Sequence, residues 1–342
     1  MGRGTHEIRW NPLIGGWVIV AGHREKRPWR PTEKGEKPAC PFCPGAPETA
    51  PYGDWDVLVL PNKYPALVPD PSPPSPVDVD GIYNVMPAMG YCRVLIETPK
   101  HTGDLHDLSL EHMVKVVEKY REEYIKLSKI DFVSYVAIFR NKGKEIGVSL
   151  IHPHSQIYAL PFIPPRIQVE LKNFKKFYNK EKRCLLCRII ESEKKLGKRI
   201  IYENEGFIVI HPYYAMWPYE LHVYPKRHVT GIDMLDNDEI KQLADALRMT
   251  TAIYENLYDR DMPYMMVMHN RPSEPEDYSY YHFHIEFYQP YREKDKLKYR
   301  AGIETGFWVF TYDGDPVKKR QELRIACKKA VDKIEHIGEC IE

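Results

Sequence analysis

The chain has 342 residues, and its 49 lysines and arginines against 48 aspartates and glutamates give a net charge of +1. This length supplies a core for one large domain or two ordinary ones, and the near-neutral balance argues against nucleic acid as a partner without excluding a local anion pocket. No apolar run reaches membrane-spanning length and the N-terminus lacks the apolar core of a signal peptide, so we expect a cytoplasmic protein with no membrane partner.

The first half of the chain predicts short strands around one long helix. Strands are predicted within residues 6–20, as a pair joined by a Gly-Gly turn, and at 55–60, 92–98 and 133–139. Apolar residues at helical spacing predict an amphipathic helix at 109–129. A basic loop is expected from residue 23 to 30, and the proline-rich stretch at 68–90 predicts an exposed loop.

Four of the seven cysteines form two Cys-x-x-Cys pairs. In a cytosolic protein this spacing favours a metal site over a disulfide. Cys40 and Cys43 lie in a proline-flanked turn, and His101 and His152 complete a set of two thiolates and two imidazoles. Zinc takes such a set in tetrahedral structural sites, so we predict a zinc site here. The alternative is a reduced cysteine pair without metal.

The sequence His152-Pro153-His154 follows the apolar run at 133–139. Two imidazoles two residues apart do not share a face of an extended strand unless the backbone bends. Pro153 removes a donor between them, as at an edge or irregular strand. One imidazole can therefore be a metal ligand while His154 meets a substrate, and a neutral imidazole is a good nucleophile toward phosphorus. The alternative is a pair of satisfied core histidines.

The order of these markers repeats in the second half. It contains, in this order, a second Cys-x-x-Cys pair, a Pro-Lys-Arg-His sequence, a long helix with Asp236 and Glu239 as a capping box, and a His-Phe-His sequence. We predict an α+β fold of two duplicated halves, residues 1–165 and 166–342, each an antiparallel sheet with a long helix. The same correspondence predicts a second zinc site from Cys184, Cys187, His228 and His282.

The motif His-Pro-His-Ser-Gln at 152–156, preceded by Asn-Lys-Gly and by Cys-x-x-Cys, closely resembles the galactose-1-phosphate uridylyltransferase family of the histidine-triad superfamily. Residues 23–29 resemble the family's arginine motif, and residues 213–218, 225–228 and 281–284 resemble its C-terminal half. The resemblance covers nearly the whole chain. It implies histidine-triad-like halves and a zinc homodimer with shared active sites.

The activity that the resemblance implies is uridylyl transfer from UDP-glucose to a hexose 1-phosphate, galactose 1-phosphate in the family. His154 would attack the α-phosphorus, expel glucose 1-phosphate and hold the uridylyl group, which predicts ping-pong kinetics. Gln156 stands where histidine-triad hydrolases carry a further histidine. Its amide can donate a hydrogen bond to a phosphoryl oxygen but cannot supply a proton, which suits transfer between phosphates better than hydrolysis.

The resemblance also implies a set of residues that contact phosphate, nucleotide or sugar, partly across the dimer interface. They are Arg24, Arg27, Asn62, Asn141, Ser149, Lys298 and Glu304. Some family members carry a different metal site in the second half, whose ligands match Glu170, His269 and His284, with Glu286 in a fourth position that can be histidine. We favour the cysteine set there, because thiolates hold zinc without a poorly matched fourth ligand.

Ser155 stands where many family members have glycine, and it marks a branch that includes nucleotide-sugar phosphorylases. Because base selectivity depends on pocket shape, an ADP-sugar phosphorylase or a dinucleoside polyphosphate phosphorylase is the alternative on the same site. A zinc-stabilised nucleotide-binding protein without turnover is the alternative of a different class.

Overall fold

The computed structural model describes residues 5–26, 40–74, 81–148 and 150–341. The strands within these ranges are β1 (His6–Asn11), β2 (Gly16–Ala21), β3 (Leu58–Pro61), β4 (Val85–Pro87), β5 (Tyr91–Ile96), β6 (Tyr135–Lys142), β7 (His154–Leu160), β8 (Ile200–Glu203), β9 (Phe207–Ile210), β10 (Leu221–Pro225), β11 (Tyr264–His269), β12 (His284–Tyr288), β13 (Tyr291–Glu293), β14 (Lys296–Leu297) and β15 (Glu339–Cys340). The α-helices are α1 (Leu110–Ser128), α2 (Pro165–Glu181), α3 (Leu185–Leu196), α4 (Asn237–Tyr258), α5 (Gly302–Phe307) and α6 (Pro316–Val331).

Ten of these strands form one sheet, in the order β15-β8-β9-β10-β12-β11-β6-β7-β5-β3. Each neighbouring pair is antiparallel, including β6 and β11, which join the two halves of the chain. The remaining sheets are β2-β1-β4 and the β13-β14 hairpin. The predicted α+β class with antiparallel sheets is confirmed, and the sheets of the two halves are continuous.

The two halves use the same order of elements. In the first half β3 and β5 precede α1, and β6 and β7 follow it, while in the second half β9 and β10 precede α4, and β11 and β12 follow it. The sheet order runs outward from the central β6–β11 pair as β7, β5, β3 on one side and β12, β10, β9 on the other. His154 and His284 therefore begin equivalent strands.

The two long helices cover one face of the sheet. Ser109 caps α1 by accepting a hydrogen bond from the His112 N–H, and Asp236 caps α4 together with Glu239, which confirms the predicted capping box. Their buried faces and α6 pack on the sheet as the largest hydrophobic core. Burying this apolar surface drives the helices onto the sheet, because each apolar side chain removed from water stabilises the fold by roughly 1.5–3 kcal/mol.

The opposite face of the sheet is covered unevenly. A second core, which includes Ile8 of β1 and Phe174 of α2, packs against this face around Ile208 and Tyr224 of the second half. Helix α2, whose exposed side is rich in lysine, lies against this face. His154 and Gln156 lie on the same face but are only partly buried.

Several local predictions differ from the structure. The loop expected at 68–90 contains β4, whose Met86 pairs with Ile8 of β1. Pro153 was expected at an edge or irregular strand, but β7 lies between β5 and β6 in the interior of the sheet, and Pro153 precedes its first residue. Proline is tolerated there because the ladder begins one residue later.

The C-terminal region holds features that the sequence analysis missed. Helix α3 begins at Leu185, directly after Cys184, and a disulfide joins Cys327 of α6 to Cys340 of β15. The predicted boundary at residues 165/166 falls at the start of α2, and the division into two domains stays a prediction. None of the described helices combines the length and apolar character needed to cross a membrane.

Candidate functional site

Cys40, Cys43, His101 and His152 come together beside the start of β7, as predicted. One donor atom of each lies within 4.8 Å of the donor atoms of the others. Cys43 Sγ is 3.3 Å from His101 Nδ1, and Cys40 Sγ is 3.6 Å from His152 Nδ1. Two sulfur and two nitrogen donors that converge in this way form the set that structural zinc takes.

The orientation of His152 fits a metal ligand. Its Nε2 lies 2.8 Å from the carbonyl oxygen of Thr98, so this nitrogen carries the proton and Nδ1 faces the two sulfur atoms. Histidines that bind metals usually donate from their other nitrogen to a carbonyl or carboxylate, which fixes the tautomer and the ring. Burial also lowers the pKa of His152, which favours the neutral form that a metal requires.

His154 has its tautomer set by the backbone. Its Nδ1 lies 2.7 Å from the carbonyl oxygen of His152, so Nδ1 donates and Nε2 is left with a free lone pair. Burial lowers the pKa of His154 below its ordinary value, so the ring is neutral at pH 7. The ring also meets the Phe42 ring, with 5.2 Å between centroids. A neutral, fixed imidazole with one free nitrogen can act as a nucleophile.

Gln156 lies on the same face of β7 as His154, because alternate residues of a strand share a face. It pairs with Val94 of β5 and Phe139 of β6, and its side chain is partly exposed. An amide donor two residues from the free nitrogen of His154 can bind an oxygen of a group attached to that nitrogen.

A cavity of about 730 Å³ opens beside His154. Asn141 and Lys142 at the end of β6 line it, as do His106 and Arg260. Among the residues that the structure describes, Arg260 Nε and Nη2 and His106 Nδ1 are buried without a hydrogen-bond partner. These atoms are shielded from solvent, and the Arg260 guanidinium packs over the Tyr291 ring, 4.3 Å from its centroid. Neither His106 nor Arg260 was singled out by the sequence analysis, since no local motif marks them.

The expected substrate-binding residues are not all in one place. Asn141 lines the cavity beside His154, whereas Asn62 lines a separate groove of about 450 Å³ next to β3 and β5. The Asn62 side chain accepts a hydrogen bond from the Tyr64 N–H at 2.9 Å. Arg24 lies in a short 3₁₀ turn, Gly22–Lys26, after β2. Arg27 and Ser149 lie outside the described residues.

Lys298 and Glu304 are buried and bonded to each other, with 3.4 Å between Nζ and Oε1. Lys298 Nζ also donates to the Thr311 carbonyl at 2.5 Å and to Asp313 at 3.1 Å. Neither residue lines the cavity beside His154. The pair holds the chain around α5, where Phe307 and Trp308 are exposed.

The second predicted metal set, Cys184, Cys187, His228 and His282, also comes together, with donor atoms within 4.8 Å of one another. Cys187 Sγ is 3.5 Å from the Nδ1 atoms of both histidines. The other ring nitrogens face carbonyl oxygens, His228 Nε2 at 3.0 Å from Ser279 and His282 Nε2 at 3.2 Å from Pro225. This arrangement repeats that of the first cluster and fits zinc equally well.

The alternative metal set converges too. Glu170, His269, His284 and Glu286 offer donor atoms within 4.8 Å of one another, and His269 Nδ1 is 2.9 Å from Glu170 Oε2. Arg166 binds both carboxylates, Glu170 at 2.7 Å and Glu286 at 2.9 Å. The two sets that the sequence analysis treated as alternatives are therefore both assembled, and a guanidinium already compensates the carboxylates of this one.

Family models match almost the whole chain. The model described as the N-terminal domain of galactose-1-phosphate uridyl transferase matches residues 3–164, and the model of its C-terminal domain matches residues 170–307. Among curated proteins, the galactose-1-phosphate uridylyltransferase of Thermotoga maritima is 40% identical over 319 residues, which are 93% of this chain and 98% of the relative. That of Haemophilus influenzae is 32% identical over 86% of this chain and 87% of the relative.

Solved structures show the same similarity. A uridylyltransferase structure is 42% identical, with a TM-score of 0.85, and covers 95% of this chain and 99% of its own. The ADP-glucose phosphorylase of Arabidopsis thaliana with bound ADP-glucose is 25% identical, with a TM-score of 0.70, over 94% of this chain and 99% of its own.

Proposed function

The chain belongs to the galactose-1-phosphate uridylyltransferase family and is a nucleotidyltransferase, and from this premise we propose that His154 carries the uridylyl group between UDP-glucose and a hexose 1-phosphate. The observation that carries the proposal is the hydrogen bond from His154 Nδ1 to the His152 carbonyl, which leaves Nε2 free beside the cavity. Gln156 on the same face supports it.

The reaction proceeds in two transfers at one site. His154 Nε2 bonds to the α-phosphorus of UDP-glucose while the bond from phosphorus to the oxygen of glucose 1-phosphate breaks. The phosphate oxygen of a hexose 1-phosphate then attacks the same phosphorus, and His154 leaves. The imidazole becomes cationic when it bonds to phosphorus, and the His152 carbonyl that accepts from Nδ1 stabilises that charge.

Gln156 stabilises the transferred group. Its amide donates to a non-bridging phosphoryl oxygen, where negative charge is concentrated during transfer. No proton donor is needed, because a sugar phosphate is an adequate leaving group as an anion. Asn141 lines the cavity beside His154 and is proposed as a further hydrogen-bond donor to the substrate. Arg24, Arg27, Asn62, Ser149, Lys298 and Glu304 are proposed as the remaining substrate contacts by family resemblance.

We further propose zinc for both Cys/His clusters, a homodimer with shared active sites, and a cytoplasmic location. Zinc would supply structural support. In the first cluster it would hold His152, whose carbonyl orients His154, together with the turn from Cys40 to Cys43.

The test is labelling with UDP-glucose that is radioactive at the α-phosphate. We expect an acid-labile, base-stable label on the protein that is lost in His154→Asn. His284→Asn is the matched control, because His284 begins the equivalent strand and also donates from Nδ1 to the carbonyl two residues earlier. Label that persists in His154→Asn and disappears in His284→Asn would reverse the assignment.

ADP-glucose labelled in the same way addresses the second candidate. The similarity of this chain to an ADP-glucose phosphorylase favours ADP-glucose as the alternative donor. The sequence identity to that enzyme is lower than the identity to the uridylyltransferase structure. Label from ADP-glucose alone would show that the transferred group is adenylyl and not uridylyl. No label from either donor, with zinc bound and the fold intact, would favour a binding protein without turnover.

A further inference from the structure

Ser155 lies between His154 and Gln156 in sequence, but its side chain points to the opposite face of β7, as alternation along a strand requires. It is fully buried there, with 0% of its surface exposed. Its Oγ donates to Glu97 Oε1 at 2.5 Å. The Tyr120 hydroxyl lies 2.6 Å from the same Oγ and 3.2 Å from Glu97 Oε1, so the serine and tyrosine hydroxyls both contact this carboxylate oxygen. The serine hydroxyl is thus fully engaged behind the catalytic face.

Glu97 binds the chain on both sides of the nucleophile. Its backbone N–H donates to the Pro153 carbonyl at 3.1 Å, and its carboxylate accepts from Ser155. His154 lies between these two contacts, and the residue before Glu97, Ile96, is its partner in the β5–β7 ladder. A shift of β7 along or out of the sheet at His154 would break at least one of these bonds.

Glu97 is itself fixed by Arg140 of β6. The Nε of Arg140 donates to both carboxylate oxygens at 3.0 Å, and its Nη1 lies 2.6 Å from the Tyr264 hydroxyl and 3.0 Å from Asp104 Oδ1. All of these side chains are buried. A buried charge pair held by several hydrogen bonds cannot reorient without leaving a charge unpaired, which costs several kcal/mol.

We propose that Ser155, Glu97 and Arg140 form a brace that positions His154 and Gln156 for uridylyl transfer, with Ser155 as the positioning residue that links the catalytic strand to the buried ion pair. The inference rests on the proposed function. Where the residue after the nucleophilic histidine is glycine, this link is absent, because glycine has no hydroxyl and leaves the backbone freer. In this chain the hydroxyl ties the strand to the charge pair behind it.

The test compares Ser155→Ala and Ser155→Gly with Tyr202→Phe. Tyr202 is a matched control, because its hydroxyl also donates to a buried carboxylate, Asp245, at 2.7 Å, but in the second half of the chain. We expect about a tenfold lower kcat for Ser155→Ala, with KM for UDP-glucose within about twofold of wild type, because misplacing a reacting group by a fraction of an ångström slows the step itself. Ser155→Gly should lose more.

Tyr202→Phe should lower the melting temperature about as much as Ser155→Ala while its kcat stays within about twofold of wild type. A wild-type kcat in Ser155→Ala would overturn the brace. An equal loss of kcat in Tyr202→Phe would also overturn it, because the loss would then follow from lower overall stability and not from the position of His154. A wild-type chain that takes no label from UDP-glucose would instead overturn the proposed function, and the brace with it.

Discussion

His154 and His284 start equivalent strands, and each donates from Nδ1 to the carbonyl of the histidine two residues earlier, at 2.7 and 2.9 Å. Their surroundings differ. His284 is 5% exposed, stacks against Phe174 of α2 at 6.4 Å and shares its pocket with Glu170. Burial lowers its pKa to about 4. The second imidazole is neutral as well, but helix α2 covers it, whereas the His154 ring lies beside the cavity.

Removing the Gln156 amide tests the role of this residue. We expect Gln156→Leu to lower the rate of label transfer to His154 by about 10²-fold, because one hydrogen-bond donor to the developing oxyanion is lost. The measurement is single-turnover labelling with α-phosphate-labelled UDP-glucose. Since Gln156 is partly exposed, the melting temperature should change little. A labelling rate within threefold of wild type would exclude this role.

The metal sites are tested by counting zinc. We expect Cys43→Ser and Cys184→Ser each to lose the zinc of its own cluster and keep that of the other, because a thiolate is removed from one set at a time. Glu170→Ala should leave the zinc content unchanged, since Arg166 already compensates this carboxylate. Elemental analysis of protein purified without chelator gives the counts. A loss of metal in Glu170→Ala would assign an ion to the carboxylate cluster.

At the residue level the convergence of the two Cys/His clusters could be predicted because Cys-x-x-Cys and His-x-His spacings are local patterns. The contacts of Glu97 and Arg140 could not, since they join β5, β6 and β7 through pairings that no spacing reveals. Ser155 stood out only as a departure from glycine, and its bond to Glu97 depends on which face of β7 it occupies. Arg260 reaches the cavity from the turn after α4, far along the chain.

At the level of elements, Asp104 connects the loop before α1 to two strands. It binds Arg140 and Tyr264, and Lys142 donates to it at 2.5 Å. Burial opposes ionisation of Asp104, but the Arg140 and Lys142 charges hold its pKa well below the usual range. The folded state therefore binds fewer protons than the unfolded state as the pH falls through about 4.

Asp104→Asn should consequently destabilise the protein by about 3 kcal/mol at pH 7, because Arg140 and Lys142 lose a buried partner. The difference in the free energy of unfolding between variant and wild type should be largest above a pH of about 4, the pKa of an aspartate in the unfolded chain. It should shrink as the pH falls below that value, because protonation of the wild-type carboxylate removes the stability that its ionised form contributes. Urea unfolding at pH 7 and pH 3 measures this. A gap that does not shrink on acidification would contradict the depressed pKa.

The disulfide between α6 and β15 attaches the edge strand to the helix beneath the sheet. Cys327 and Cys340 are 13 residues apart, so the bond closes a short loop. Replacing both cysteines with serine should lower the free energy of unfolding by about 3 kcal/mol, mainly by freeing the unfolded chain. Denaturant unfolding of the variant, compared with wild type under oxidising and reducing conditions, provides the measurement. Wild-type protein that loses nothing on full reduction would contradict it.

The long helices and most strands were predictable because each has strong periodicity and, for α1 and α4, a capping residue. Strand β4 was missed, since its three residues lie in a proline-rich stretch and are stabilised by pairing with β1 rather than by their own pattern. Helix α3 could not be predicted from the Cys-x-x-Cys spacing, because that pattern indicates metal ligands and does not show that Cys184 also starts a helix.

At the level of the whole molecule, shared active sites can be tested by mixing two inactive variants. We expect a homodimer of the Arg24→Ala variant and a homodimer of the His154→Asn variant each to be inactive. If Arg24 acts across the interface, mixed dimers have one intact site, and about a quarter of wild-type activity should return after subunit exchange. Analytical ultracentrifugation checks that dimers form. Mixtures that stay inactive although exchange is complete would place Arg24 and His154 in the same subunit's site.

The seam between β6 and β11 runs through the middle of the ten-stranded sheet, and Tyr264 on the far side of it donates to Asp104 on the near side. Cutting the chain into its two repeats would expose two long bare edges, each ready to pair with another chain. Each repeat therefore covers the edge strand that the other repeat would leave exposed. A gene for one repeat alone would have to encode a new partner for that edge, so we expect the two repeats to be retained or lost together.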